Sequence, residues 1–577
     1  MSLTQLQDIP LKNVVFLVGP PGAGKSTFCE QVILQNLTID KPIIYAITEY
    51  GPSNAEKILK EKGLGDIRAD LLYYIDAYNE TVGLSVLDRP DIVSADCGNL
   101  SSIGIAISKL QNRIQKNGVL LVFDSLTSPY LLSGSEVVRF LKLTISRFAA
   151  EGNSALICFD EGSSKEEDLV AMMSLSNGVV KMKIEDEKRI LNVIKHPKVK
   201  PVSIEIPSTE IWEKKIYETK FWDKEFARKM VSVEQILKKF EVNIFWPNFA
   251  FWSSIIWDPR RFPKMIYDLW KEFALLGREA LSFFPLYKRF FIKLLMPSNF
   301  NKIKNVKKFF KFFSRHMKLR GDCILEYLDD FSKTNEYYIR LDECRDCWGI
   351  ENVGTPLALV IPAIIAGSCK IFDKEERDWN AIETKCIGLG DPYCEIKVVP
   401  GELSELRGFL EKDNSIIEGV YNHFMQHLMG FLLNNEPLIE RPILGTNFIM
   451  AHPDIALPAM VGEKYRMALR MGGARAGKDV GNNLINAGIT EDDAINRIVN
   501  FLVHCRIGKE ISIDETIRIK ENCESLYTIY YWSKWQEPSC FFTTGFLNGF
   551  FSIIKNQHVR EIKCIAMGDP YCEWEFK

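Results

Sequence analysis

Two sets of residues in this chain have the types and spacing to do chemistry. The first is Gly19-Pro-Pro-Gly22-Ala-Gly24-Lys25-Ser26-Thr27, a G-x4-G-K-S phrase. Its glycines let backbone N–H groups curl around phosphate oxygens at a helix N-terminus, Lys25 reaches the β and γ phosphates, and the Ser26 hydroxyl ligates Mg2+. That is the chemistry of ATP binding. The second is a phrase written twice: Cys386-Ile-Gly-Leu-Gly-Asp-Pro-Tyr-Cys394-Glu and, 178 residues later, Cys564-Ile-Ala-Met-Gly-Asp-Pro-Tyr-Cys572-Glu. Glu383 and Glu561 each stand three residues before the first cysteine of their copy. With Cys540 upstream, Glu561, Cys564 and Cys572 make three thiolates and one carboxylate, enough for a tetrahedral Zn2+ site that would be structural rather than catalytic. The plain alternative is a Gly-Asp-Pro turn with cysteines packed as small hydrophobes.

The elements that must position these groups read as α/β. The apolar run Val14–Val18 enters the glycine loop and a helical stretch to about Leu37 leaves it, the strand–loop–helix context that phosphate binding needs. A strand at Val119–Phe123 ends in Asp124, where a carboxylate can hold the metal's water shell or simply close a turn. A strand at Ile43–Ile47 leads to Thr48 and Glu49, and Glu49 is either a base that polarises an attacking water or a solvated turn residue. Strands at 72–75 and 155–159 alternate with helices at 101–116 and 136–150, which predicts a parallel sheet with phosphates at its C-terminal edge.

These segments, with Asn177-Gly-Val-Val-Lys-Met and Arg189-Ile-Leu-Asn-Val-Ile-Lys195, resemble the KaiC-like branch of the RecA superfamily of ATPases over about residues 10–207. The resemblance implies a RecA-like fold, slow ATP hydrolysis with Glu49 as the catalytic glutamate, a homo-oligomer, and Lys195 as the lysine that reaches a neighbouring subunit's nucleotide. Three features depart from the family. Tyr50 follows Glu49 where a second glutamate is usual, Lys195-His-Pro-Lys replaces Lys-x-Arg-Gly, and only about a dozen residues precede the first strand.

Sliding the sequence on itself by 178 residues also aligns Ile339-Arg340 with Ile517-Arg518 and Gly367 with Gly545. Pro362 falls in register with Cys540, so the first copy keeps Glu383, Cys386 and Cys394 and either lacks a fourth ligand or draws it from Cys344, Cys347 or Cys369. The pattern resembles the 4-vinyl-reductase-type domain family, in particular the phenol-sensing domains of bacterial activators, where Cys and then Glu-x2-Cys-x7-Cys bind zinc beside a pocket for an aromatic ligand. It implies α/β modules of the kind shared with heme-NO-binding-like and TRAPP subunits, and a small hydrophobic ligand. The expected organisation is an ATPase domain at 1–207, a linker at 208–227, a divergent first module at 228–400 and a second module at 405–577. The glycine-rich stretch Met471–Gly477 has no preceding strand, which predicts close helix packing rather than phosphate binding.

Bulk properties bound the rest. A chain of 577 residues implies three or four domains. Its 46% hydrophobic and 25% charged residues fit a soluble protein, and no window holds the roughly 18 unbroken apolar residues of a membrane span. Fourteen cysteines with no export signal predict a reduced, cytoplasmic protein, and a net charge of -3 gives no general reason to bind nucleic acid. From Ala280 to Gly321 eleven lysines and arginines alternate with aromatics and no acid, a stretch that reads either as core with snorkelling lysines or as an anionic-surface binder. The aromatic run Phe245–Trp252 predicts an interface between domains or subunits. Together these features predict a signalling protein, of a domain combination that resembles archaeal proteins, in which ligand-, metal- or redox-sensing modules act on an ATP switch and on a protein partner. The rivals are a DNA-stimulated RecA-type ATPase and a nucleotide-locked scaffold whose modules dimerise.

Overall fold

The computed structural model describes Leu6, residues 9–206 and residues 241–577, apart from 63–68, 117, 186–187, 282–309, 312, 316, 319, 329–335, 374–376, 450–461, 533–534 and 536. The expected linker at 208–227 and most of the basic aromatic stretch lie outside the described residues. At the end of that stretch, Phe310, Phe313 and Met317 are buried in core.

The chain first builds one nine-stranded sheet from β1 (Val14–Gly19), β2 (Ile43–Ile47), β3 (Leu72–Asp76), β4 (Ile92–Ser94), β5 (Leu120–Asp124), β6 (Ser154–Asp160), β7 (Gly178–Glu185), β8 (Lys188–Lys195) and β9 (Val202–Ile206). The order is β4-β3-β2-β5-β6-β1-β7-β8-β9, parallel as far as β7 and antiparallel beyond it. Strands β1, β2, β5 and β6 are buried at every position, as strands covered on both faces must be, which is why they read as unbroken apolar runs. No apolar run marks the three-residue β4 in the sequence. The helix expected at 136–150 is present but passes through a π-helical turn at Leu141–Ile145.

The rest of the chain repeats one small antiparallel sheet. After a short strand β10 (Val242–Asn243), strands β11 (Ile324–Tyr327), β12 (Tyr337–Asp342), β13 (Trp379–Lys385) and β14 (Cys394–Pro400) lie in the order β11-β12-β14-β13. Strand β15 (Phe448–Ile449) then pairs antiparallel with β10. Strands β16 (Glu510–Ile513), β17 (Thr516–Lys520), β18 (Val559–Lys563) and β19 (Cys572–Phe576) lie in the order β16-β17-β19-β18. A register shift falls at Glu383/Lys385 in one sheet and at Glu561/Lys563 in the other. The turn that follows is also the same. Cys386 N–H donates to Asp391 Oδ2 and Cys564 N–H to Asp569 Oδ2, each at 2.9 Å, and Gly390 and Gly568 take φ of 94° and 105°, a left-handed conformation that favours glycine.

The helix Phe245–Ile255 joins the two copies. Phe245 meets Phe424 and Phe501 edge-on, with ring centroids 5.5 and 6.0 Å apart, and Trp246 meets Phe542 at 5.0 Å. The aromatic run is therefore an interface between the modules, at roughly 1.5–3 kcal/mol per fully buried large apolar side chain. Helices Glu463–Asn486 and Phe541–Ile554 pack against each other through glycines. A Cβ at Gly473 would lie 2.8 Å from Phe546 N, so the Met471–Gly477 stretch serves backbone-to-backbone packing. Among the described residues no helix is long and apolar enough to cross a membrane.

Candidate functional site

The phosphate-binding phrase lies where β1 ends. Gly22 and Gly24 have φ of 80° and 98°, and the helix Lys25–Thr38 starts at the next residue, so its unpaired N–H groups face the loop. Thr27 follows Ser26 in its first turn. Neighbouring strands deliver acids to the same edge. Ser26 Oγ donates to Asp124 Oδ1 at 3.1 Å, bringing together the hydroxyl and carboxylate that a Mg2+ shell requires. Asp124 Oδ2 accepts from Tyr45 at 2.8 Å and from Tyr50 at 3.2 Å. Burial raises the Asp124 pKa, and these hydroxyls work against it. Tyr50, the departure from the family pattern, thus supports the metal carboxylate.

Lys25 Nζ donates to the carbonyls of Gly19 and Pro20 at 3.0 and 2.8 Å and pairs with Asp160 Oδ1 at 2.5 Å. Glu49, half-buried past the end of β2, has its pKa pushed up to about 8, first by burial and then by the charges of Asp160 and Asp124. Lys195 sits elsewhere. It ends β8 opposite Val179, two strands from β1, and is not brought to the loop of its own chain.

The second copy of the small sheet is seated on this same edge. Lys478 Nζ lies 3.1 Å from Asp96 Oδ2, just beyond β4, in a pair whose side chains are 9% and 12% exposed. Asn548 Nδ2 donates to the carbonyls of Glu80 (3.0 Å) and Thr81, and Asn54 Nδ2 donates to Glu463 Oε1 at 2.5 Å. Met467 and Met471 belong to the hydrophobic core of the large sheet. Asn414 and Trp257 complete the seat, donating to Ser163 Oγ at 2.6 Å and Ser128 Oγ at 3.1 Å.

Each copy gathers a buried cluster. Cys540, Glu561, Cys564 and Cys572 have ligand atoms within 4.8 Å of one another, and so do Cys347, Glu383, Cys386 and Cys394. Of the three cysteines open at the sequence level, Cys347 completes the first set, its Sγ 3.0 Å from Cys394 Sγ. Cys347 aligns by the 178-residue shift not with Cys540 but with Ser525. Ser525 Oγ lies 2.9 and 3.0 Å from Cys540 and Cys564 Sγ. The two copies therefore fill one centre from different register positions.

The donor sets fit a divalent metal. Glu561 Oε2 accepts from Thr544 at 2.6 Å, while Oε1 is buried without a hydrogen-bond donor in a cluster of thiols, an orphaned acceptor that a cation would satisfy. Hydrogen bonds from Cys347 and Cys394 pull Cys386 down to about 3, and those from Cys540 and Cys572 likewise lower Cys564. Each cluster thus holds a ready thiolate. Glu383 accepts the N–H groups of Leu357 (3.1 Å) and Ala358 (3.0 Å) on one oxygen, leaving the other toward Cys347.

Near the first cluster, Phe251, Trp252, Trp270, Leu357 and Val360 line a cavity of about 40 Å3, edged by Arg345 and Asp346. A benzene ring needs roughly 150 Å3.

Sequence reasoning missed Asp160, Asp96, Lys478 and Ser525. A strand-end aspartate in the β6 run could have flagged Asp160, and the 178-residue shift could have flagged Ser525 opposite Cys347. No local signal marks a pair 382 residues apart such as Asp96 and Lys478.

Known proteins resemble separate parts of this chain. The family model of the 4-vinyl reductase domain matches residues 520–577. The uncharacterized protein MJ0150 of Methanocaldococcus jannaschii is 44% identical over 64 residues, covering 11% of this chain. The UPF0273 protein PF1931 of Pyrococcus furiosus is 33% identical over 147 residues, covering 25%. The chain spans 36% and 57% of the lengths of these two relatives. The crystal structure of the KaiC-like protein PH0186 from Pyrococcus horikoshii OT3 superposes with a TM-score of 0.27 and 15% identity, over 34% of this chain and 85% of that one.

Proposed function

We propose that this chain is an ATP-binding signalling switch, in which a KaiC-like nucleotide domain at 1–207 is read by two 4-vinyl-reductase-type modules at 228–400 and 405–577. Lys25 and the 19–27 loop hold the phosphates, Ser26 and Asp124 hold Mg2+, and Glu49 activates water for slow hydrolysis. Zn2+ organises each module, through Cys540, Glu561, Cys564 and Cys572 in one and Cys347, Glu383, Cys386 and Cys394 in the other. The protein works in the cytoplasm, as a homo-oligomer and with a protein partner.

The observation that carries this reading is the seat of the second module on the edge where the phosphate loop opens, through Asp96–Lys478 and Asn54–Glu463. A module placed there contacts loops whose positions depend on nucleotide, the differential contact that coupling requires. The family match at 520–577 supports the assignment of that module.

A second reading is favoured by the 40 Å3 cavity, too small for an aromatic ring: the first module is structural and only the second senses a ligand or metal state. Native mass spectrometry of gently purified protein tests both. Two zinc ions, bound nucleotide and an added small organic mass support the sensor. Zinc and nucleotide without organic mass favour the structural reading, and a chain carrying neither zinc nor nucleotide refutes the proposal.

A further inference from the structure

Helix Glu463–Asn486 of the second module begins at the rim of the nucleotide site, and its first turn is held there from both sides. Glu463 accepts from Asn54, in the helix that follows Glu49, at 2.5 Å. Tyr465 packs edge-on against Phe262, with ring centroids 5.1 Å apart. Met467 and Met471, one and two turns on, are buried in the nucleotide domain's core. Lys464, between these anchors, is exposed, and among the described residues its ammonium has no hydrogen-bond partner.

The charges around it show which way it faces. Lys464 lowers the pKa of Glu49, Asp124, Glu30 and Asp258, acids from different parts of the chain that converge on the loop. Its pull on Glu49 exceeds that of Lys25, the phosphate-binding lysine itself. Glu49 stands on the side of the site where water would attack, so a cation that favours Glu49 over the loop lies toward the terminal phosphate.

We propose that Lys464 supplies, in cis and from the second module, a cation to the γ-phosphate of bound ATP, making the nucleotide site a composite of two domains. The inference rests on the ATP-binding reading above. It gives the module a differential contact: ATP presents a terminal phosphate to Lys464 and ADP does not. Lys195, on β8 and two strands from the loop, leaves that role open within the chain. Docking of the second module would then favour ATP, and any event that lifts helix Glu463–Asn486 would weaken ATP while leaving ADP in place.

The test is the affinity of the full-length protein for ATPγS and for ADP, each with Mg2+, measured by calorimetry for wild type, Lys464→Ala, Lys464→Arg and Lys25→Ala. Lys464→Ala is expected to lose about tenfold or more in ATPγS affinity, the scale of one charge-assisted contact, with ADP affinity changed less than about twofold. Lys464→Arg should restore most of the loss, and Lys25→Ala should lose both ligands. Equal losses for the two nucleotides, or no loss, in Lys464→Ala overturn the inference while leaving the ATP-binding reading intact. A wild-type protein that binds neither nucleotide overturns both.

Discussion

The Asp96–Lys478 pair offers the sharpest physical test of how the second module is held. Lys478 Nζ lies 3.1 Å from Asp96 Oδ2, and the carboxylate also accepts from Thr81 Oγ1 at 3.2 Å and Gly98 N–H at 2.9 Å. Burial raises the Asp96 pKa, but Lys478, His558 and the Gly98 N–H outweigh it and hold it below the usual carboxylate range. Two unit charges at that separation attract by about 5 kcal/mol at an effective dielectric of about 20. Removing one partner of a buried pair costs about 3–5 kcal/mol, because the other charge stays behind unpaired. Lys478→Met should therefore destabilise docking by about 3–5 kcal/mol, whereas Asp96→Leu combined with Lys478→Met should recover more than half of that. The assay is proteolysis across a urea series, following cleavage between the nucleotide domain and the second module. Because the folded Asp96 pKa is depressed, its contribution is present above about pH 4 and is lost only as pH falls through the folded value, so the cycle belongs near neutrality. A loss under about 1 kcal/mol for Lys478→Met would mean that the pair is effectively solvated and that docking does not depend on it.

Three further outcomes are expected. Lys25→Ala should weaken ATP binding by more than about a hundredfold, since the lysine serves the β and γ phosphates; unchanged affinity by equilibrium dialysis would refute the nucleotide site. With Glu49 titrating at about 8 in the free protein, kcat/KM for ATP should rise with pH up to about 8 and then level, and Glu49→Gln should abolish the limb. The same shift makes the folded protein bind a proton that the unfolded chain releases near about 4.3, so Glu49 costs stability as pH climbs from about 4 to 8. Cys347→Ser should lower bound zinc from two ions per chain toward one, while Cys369→Ser, whose thiol is raised by burial and Asp373 outside the cluster, should leave two by elemental analysis.

Groups that act within one short stretch are legible in the sequence. The 19–27 loop and the Glu-x2-Cys-x7-Cys phrase are continuous, so their spacing alone fixes which atoms meet. Asp124 is legible because a buried strand that ends in a carboxylate beside a phosphate loop has a specific job. Cys347 is only one of three candidates in the sequence because the internal alignment points to Pro362, whereas the chain reaches the same centre from the position of Ser525. The helix at 136–150 reads as regular, since nothing in its apolar spacing marks the π turn at Leu141–Ile145. The seating of the second module is not legible at all. It depends on single polar residues such as Asn54, Asp96, Glu463 and Lys478, which pattern in sequence like any surface residues and acquire meaning only when two domains meet.

If nucleotide state and the second module are read through one interface, hydrogen exchange of the wild-type protein with ATPγS, with ADP and with neither is the most direct test. Exchange in the first turns of helix Glu463–Asn486 and in residues 76–98 should slow with ATPγS relative to ADP, while β16–β19 remain unchanged. Identical exchange at 462–478 in all three states would contradict the shared interface and reduce the docked module to a passive neighbour of the ATP site.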